Sequence, residues 1–294
     1  MPTRRTVLVA AAVSPVVATV GRVAAQDATP ADVESQVAVI FGFADSVALM
    51  TDIYMPPARD TPRPAVIVIH PGGMTDGDRT WMSDVAQGLA EAGYVAFSID
   101  YRLFRPGDGG NLWPGQLDDV QRAVRWVRAN ADKYGVDPDR IGAYGSSAGG
   151  QLAAFLGSLD TRDDSDADLV GISSRVACVV DVAGSVDQTE PSGDPDSDAI
   201  RDAILGGSPD AAAYRDFSPV TFVDTLTAPF LILQGQADSA FRIKVSRAFE
   251  VTLRDLGLEV VYGEFPGLDH FAWDWAHAGP WALAFLGQQL HPEG

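Results

Sequence analysis

The chain has 294 residues, 46% hydrophobic and 21% charged, which is enough apolar material for a sizeable core and too much for a disordered segment. Forty Asp and Glu against 21 Lys and Arg leave a formal charge of −19, and Lys133 and Lys244 are the two lysines. That balance disfavours nucleic acid and anionic membrane surfaces as partners, because both are bound through basic patches that displace counterions.

Residues 1–25 read as an export signal. Arg4 and Arg5 precede a mostly apolar run over 7–20, and Val23, Ala24 and Ala25 supply the small residues of a cleavage site. The opening Thr3-Arg4-Arg5-Thr6-Val7-Leu8 resembles a twin-arginine signal, which carries a folded protein out of a bacterial cytoplasm. Ser14 and Pro15 interrupt the run, which is short for a membrane span. The expectation is a secreted or periplasmic protein whose residues 26–294 form a single domain. Cys178, the one cysteine, excludes an intramolecular disulfide and sits in an apolar run that reads as a buried strand.

Beyond the signal, strands alternate with helices. Segments 37–43 and 47–54 predict an antiparallel hairpin, and 56–64 a turn-rich connection. The β-branched run 65–69 leads into His70-Pro71-Gly72-Gly73, the pattern of a fully buried strand feeding a glycine loop. Helical spacing over 82–92 stops at Gly93, and 95–99 is the next strand. Over 116–134, Leu117, Val120, Ala123, Val124 and Val127 recur at three and four, predicting one helix with one buried face. Segment 140–144 reads as a strand, 150–156 as a helix, and 176–182 and 230–234 as further strands. A helix over 243–256, a last strand over 259–265 and a closing helix over 280–290 complete the series. Such alternation predicts an α/β fold with a mostly parallel sheet covered by helices on both faces. Two polar stretches interrupt it. The acidic stretch 160–168 lacks the spacing and central glycine of a calcium-binding loop and reads as a solvated loop. The stretch 187–202 is suited either to a small lid or to a surface excursion.

Gly145-Ser146-Ser147-Ala148-Gly149 fits G-x-S-x-G between a predicted strand and a predicted helix, a turn that pushes Ser147 out at the carboxyl edge of the sheet as a nucleophile. A serine needs a base. His70 lies in the glycine loop and His291 near the end of the chain, whereas His270 follows the last strand at the same edge; His277 is its rival. The chain order serine, acid, histidine points to Asp238, which follows the 230–234 strand. Asp269 is adjacent to the histidine, and adjacency does not aim it at the far ring nitrogen. Pro71 has no N–H, so Gly72 and Gly73, with the N–H after the nucleophile at Ala148, are the candidate oxyanion donors. His70 reads as fixing this loop. Trp81, Trp113, Trp273 and Trp275 are candidates for a pocket wall or, equally, for packing.

Taken in order, these segments resemble the α/β-hydrolase superfamily, in particular the hormone-sensitive-lipase-like and the bacterial feruloyl- or acetyl-esterase-like (BD-FAE-like) carboxylesterases. The likeness runs over about 37–290. It also includes Asp100-Tyr101-Arg102-Leu103, Asp137-Pro138-Asp139-Arg140-Ile141, Leu205-Gly206-Gly207-Ser208, Ser218-Pro219-Val220 and Pro266-Gly267-Leu268-Asp269-His270. The resemblance implies an α/β-hydrolase fold with Ser147 as nucleophile, Asp238 as acid, His270 as base, and Gly72, Gly73 and Ala148 as oxyanion donors. It implies no cofactor and no metal. The implied substrate is a small-molecule or polysaccharide-linked ester with a short-chain, acetyl or feruloyl group. The chain departs from the pattern at Pro71, where a glycine is usual, at Ser146, where the lipase-like group often has Asp, and at Ala240-Phe241, in place of Val-Pro. An amide hydrolase of the same fold, arylformamidase-like or a peptidase, is the alternative, since the same triad serves esters and amides. A non-catalytic binding protein on this scaffold is the other.

Overall fold

The computed structural model describes residues 32–44, 46–270 and 274–291; the expected export signal at 1–25 lies outside them. Eight strands, β1 (Glu34–Ala44), β2 (Val47–Met55), β3 (Arg63–Ile69), β4 (Val95–Ile99), β5 (Val136–Ser146), β6 (Val179–Val182), β7 (Phe230–Gly235) and β8 (Val260–Phe265), form one sheet. Its order is β1-β2-β4-β3-β5-β6-β7-β8. β1 and β2 pair antiparallel, as do β2 and β4, and every later pairing is parallel. β4, β6 and β7 are buried along their whole length, as is β3 beyond Arg63, which is why they read as unbroken apolar runs rather than as alternating ones.

Among the described residues eight α-helices connect and cover the strands: α1 (Ser83–Glu91), α2 (Gly115–Ala129), α3 (Ala131–Tyr134), α4 (Ala148–Ser158), α5 (Pro195–Ile204), α6 (Ala211–Asp216), α7 (Ala240–Asp255) and α8 (Trp275–Leu290). Alternation along β3 divides the core in two. Val66 and Val68 join Leu89 of α1 and Phe285 of α8 on one face, while Ile67 and Ile69 join Val124 of α2, Phe155 of α4 and Phe249 of α7 on the other. Cys178 is buried on the α1/α8 side, as expected. No described helix is long and apolar enough to cross a membrane.

Several boundaries differ from the sequence expectation for identifiable reasons. The single helix expected over 116–134 breaks at Asn130, whose side-chain amide donates to the Trp126 carbonyl at 2.8 Å while its backbone leaves helical geometry. The closing helix starts at Trp275, five residues before Pro280. Asp274 caps it by accepting from the His277 N–H, and Pro280 is exposed, so its missing donor falls on the solvent side. β5 begins at Val136 instead of 140, with an irregular step opposite Arg63–Ala65 that absorbs Pro138. The acidic stretch 160–168 is not merely solvated: Asp164 and Asp166 pair with Arg125 and Arg122 of α2, and Arg162 pairs with Asp118 at 3.2 Å. At the sheet's open end, β1 steps out of register between Gln36 and Val39 and again between Ile40 and Gly42. There Ala38 takes a left-handed φ of 54° and donates its N–H to the Asp52 carboxylate at 2.7 Å.

Candidate active site

Parallel strands deliver their following loops to one edge, and the loops after β3, β5, β7 and β8 meet there. The turn from β5 to α4 holds Ser147 at φ 52° and ψ −116°, a conformation that costs energy for a residue with a Cβ. The surroundings enforce it. The Ser147 N–H donates to the Val182 carbonyl at the end of β6 at 2.8 Å. A Cβ on Gly145 would lie 2.0 Å from the Gly149 carbonyl oxygen, and one on Gly149 would lie 2.2 Å from that of Ile69, so neither position tolerates a side chain.

From this turn Ser147 Oγ lies 2.8 Å from His270 Nε2, and His270 Nδ1 lies 2.8 Å from Asp238 Oδ2. With the carboxylate at Nδ1, the tautomer that carries its proton there leaves the Nε2 lone pair facing the serine hydroxyl. Asp238 is in turn held by the Gln234 side-chain amide at 2.7 Å and the Ser239 N–H at 2.6 Å, and the Ser246 hydroxyl donates to Gln234 Oε1 at 2.8 Å. Burial pushes the Asp238 carboxyl upward, yet the hydrogen bond and charge of His270, with the Ser239 and Gln234 donors, hold it below the usual carboxylate range. The rival His277 is exposed and occupied by Asp274 at 2.7 Å.

The glycine loop after β3 is a tight turn in which the Gly72 carbonyl accepts from the N–H groups of Thr75 and Asp76, both at 3.0 Å. Gly72 and Gly73 have φ of 117° and 60°, and a Cβ on Gly72 would lie 2.0 Å from the Asp76 carbonyl oxygen. Gly73 and Ala148 line a cavity of about 130 Å³ beside Ser147; Gly72 sits one residue back in the turn, and Met74 lines the cavity in its stead. His70 is buried with its ring stacked on Tyr101 at 4.2 Å, and burial pushes its pKa below the ordinary imidazole value, so it braces this loop as a neutral group.

Behind the elbow, Asp181 of β6 is fully buried and accepts from the Gly184 N–H at 2.9 Å; burial pushes its carboxyl up to about 7. α5 and α7 form the outer wall of the cavity through Ile200, Arg201, Phe241 and Arg242. The stretch 187–202 thus covers the site. Trp113 packs on Phe155 and Phe217 and Trp275 lies against Gly88 and Gly279, so neither lines the cavity; Trp273 lies outside the described residues. Gln234, Met74 and Arg242 were not singled out in the sequence. Gln234 alone left a signal there, as the single polar side chain closing an apolar run. Among the described residues no cluster of His, Cys, Asp and Glu is arranged to hold a metal ion.

The chain is similar to several known esterases. Esterase LipC of Mycobacterium tuberculosis (strain ATCC 25618 / H37Rv) is 31% identical over 262 residues, which cover 85% of this chain and 64% of LipC. The probable carboxylic ester hydrolase LipM of the same strain is 31% identical over 228 residues, covering 74% of this chain and 52% of LipM. The chain therefore spans between half and two thirds of the length of these curated relatives. A truncated carbohydrate esterase from gut microbiota superposes with a TM-score of 0.74 at 27% identity, over 88% of this chain and 96% of that one. The BD-FAE family model matches residues 51–253, from β2 into α7 and across the serine turn and Asp238, and the chain belongs to the BD-FAE family of the α/β-hydrolase superfamily.

Proposed function

We propose that the chain is a serine carboxylesterase acting on short-chain esters, acetyl esters foremost, through an acyl-enzyme on Ser147. The observation that carries this reading is the hydrogen-bonded line from Ser147 through His270 to Asp238, opening on a cavity of about 130 Å³. Ser147 Oγ attacks the ester carbonyl as His270 Nε2 takes its proton. The N–H groups of Ala148 and the glycine loop stabilise the developing oxyanion, His270 returns the proton to the leaving alcohol, and water activated by the same ring releases the acid. Asp238 orients the ring and stabilises its charged form throughout. An apolar cavity of about 150 Å³ holds a benzene-sized molecule, so this one suits acetyl to butyryl groups. Export as a folded enzyme belongs to the same proposal and rests on Arg4, Arg5 and the apolar run that follows them.

The test is hydrolysis of p-nitrophenyl esters from acetate to palmitate, methyl ferulate, acetylated xylan and an amide matched to the best ester, by residues 26–294 and by the Ser147→Ala protein. Turnover is expected to peak at acetate to butyrate, with little on the amide. Ser147→Ala should lower kcat by about a million-fold, on the scale of nucleophile removal in serine hydrolases. A best rate on the amide, or near-normal ester turnover without the Ser147 hydroxyl, overturns the proposal.

A further inference from the structure

Two guanidinium groups line the cavity at Ser147, and their own neighbours satisfy them unequally. Arg201 is buried and well matched. It lies 3.4 Å from the Asp198 carboxylate and 3.1 Å from that of Asp202, donates to the Glu190 carbonyl at 3.0 Å, and sits 4.5 Å from the centre of the Tyr214 ring. Arg242, in the first turn of α7, is different. Its Nη1 donates to the Ser185 hydroxyl at 2.7 Å, and its carboxylate neighbour, Asp238 Oδ1, is 3.9 Å from Nε and already takes the Ser239 N–H at 2.6 Å. The charge of Asp238 is committed to the His270 ring. Burial depresses the Arg242 pKa further than Asp238 and Asp194 raise it, which marks a cation that its carboxylate neighbours only partly compensate.

Such a group gains from an anion supplied from outside, because a guanidinium has five donors in a planar fork that fits a carboxylate and pays for its lost hydration only when they are used. The site is placed for it. Ser185 and Arg242 line the same small cavity as Ser147 and Gly73, so a group held by Arg242 is a few bonds from the ester carbonyl. Of the two guanidinium groups in the lining, Arg201 is answered closely by Asp198 and Asp202, whereas the carboxylate beside Arg242 stands off at 3.9 Å.

We propose that Arg242, supported by Ser185, anchors a carboxylate carried by the substrate, making short esters with a free carboxylate near the scissile bond the preferred class. This specificity role rests on the carboxylesterase reading above. The carboxylate belongs either to the acyl group or to the alcohol, and two matched pairs separate these sources: monoethyl succinate against ethyl succinamate, and acetoxyacetate against acetoxyacetamide. Each is followed by titration of released acid at pH 7.5 and 0.15 M salt, beside p-nitrophenyl acetate.

In one pair the charged ester should exceed its amide partner in kcat/KM by tenfold or more. Arg242→Gln should bring that ratio to about one, chiefly through KM, with Arg242→Lys retaining part of it; Ser185→Ala, a smaller change to the fold, should lower it in the same direction. A ratio at or below one in both pairs overturns the proposal. So does a ratio unchanged in Arg242→Gln with both members losing kcat together, the result expected if Arg242 only steadies Asp238. Hydrolysis of p-nitrophenyl acetate without the charged preference leaves the esterase reading standing. Loss of activity on every ester removes both.

Discussion

Asp181 lies behind the serine turn, paired through its strand with Gly145 and packed beside Gly150. A Cβ on Gly150 or Gly184 would lie 2.4 or 2.2 Å from Asp181 Oδ1, so two glycines give this carboxyl its room. Its folded pKa of about 7 lies above its ordinary value of 3.8. Between those values the folded chain holds a proton that the unfolded chain has released, so Asp181 costs stability progressively as pH rises through that window, at most about 1.4 kcal/mol per pH unit. Asp181→Asn keeps the shape and removes the titration. Its melting temperature relative to the parent should therefore climb as pH rises from 5 to 8; parallel profiles for the two proteins count against the assignment. None of this was legible in the sequence, where Asp181 is one acidic residue among forty Asp and Glu. Ser147, Asp238 and His270 were legible because motif and chain order constrain them. Gln234 and Arg242 were not, because a sequence does not say which polar side chain on a helix or strand end turns inward, and Met74 was not, because a loop sequence does not say which of its side chains faces the site.

The elements show the same division. Strands buried on both faces declare themselves as β-branched runs, and 95–99 coincides with β4 to the residue. Helix ends were less visible: Asn130 and Asp274 act through side-chain bonds to the backbone that compete with, or cap, a periodic pattern. α5 escaped notice because its ten residues, Pro-Asp-Ser-Asp-Ala-Ile-Arg-Asp-Ala-Ile, open on a polar, acidic turn and bury only Arg201 and Ile204. α4 makes the opposite demand. All eleven of its residues are buried, and Gly149 sits where the helix start meets the Ile69 carbonyl of β3. Gly149→Ala should lower the unfolding free energy by about 1–3 kcal/mol, the usual range for forcing atoms into a packed core. Denaturant titration with an unchanged midpoint would show that the turn yields more easily than its contacts imply.

Across the whole molecule, the site draws on segments far apart in sequence. Asp238 and His270 arrive with β7 and β8, and the carbonyls of Leu290 and His291 take hydrogen bonds from Arg140 at the far side of the sheet at 3.2 and 2.8 Å. On the proposed twin-arginine export, which rests on Arg4, Arg5 and the apolar run after them, Arg4→Lys with Arg5→Lys should leave esterase activity inside the cytoplasm on cell fractionation, whereas undiminished activity outside it would speak for the ordinary secretory route. An open sheet edge is a template on which a second chain adds a strand. β1 ends this sheet with two irregular steps in eleven residues and a left-handed Ala38 between its ends. The hydrogen-bonding groups it turns outward never run evenly for long, so a visiting strand finds no register to hold. Even with Val37, Ile40 and Phe43 exposed on it, that edge is a poor seed for aggregation.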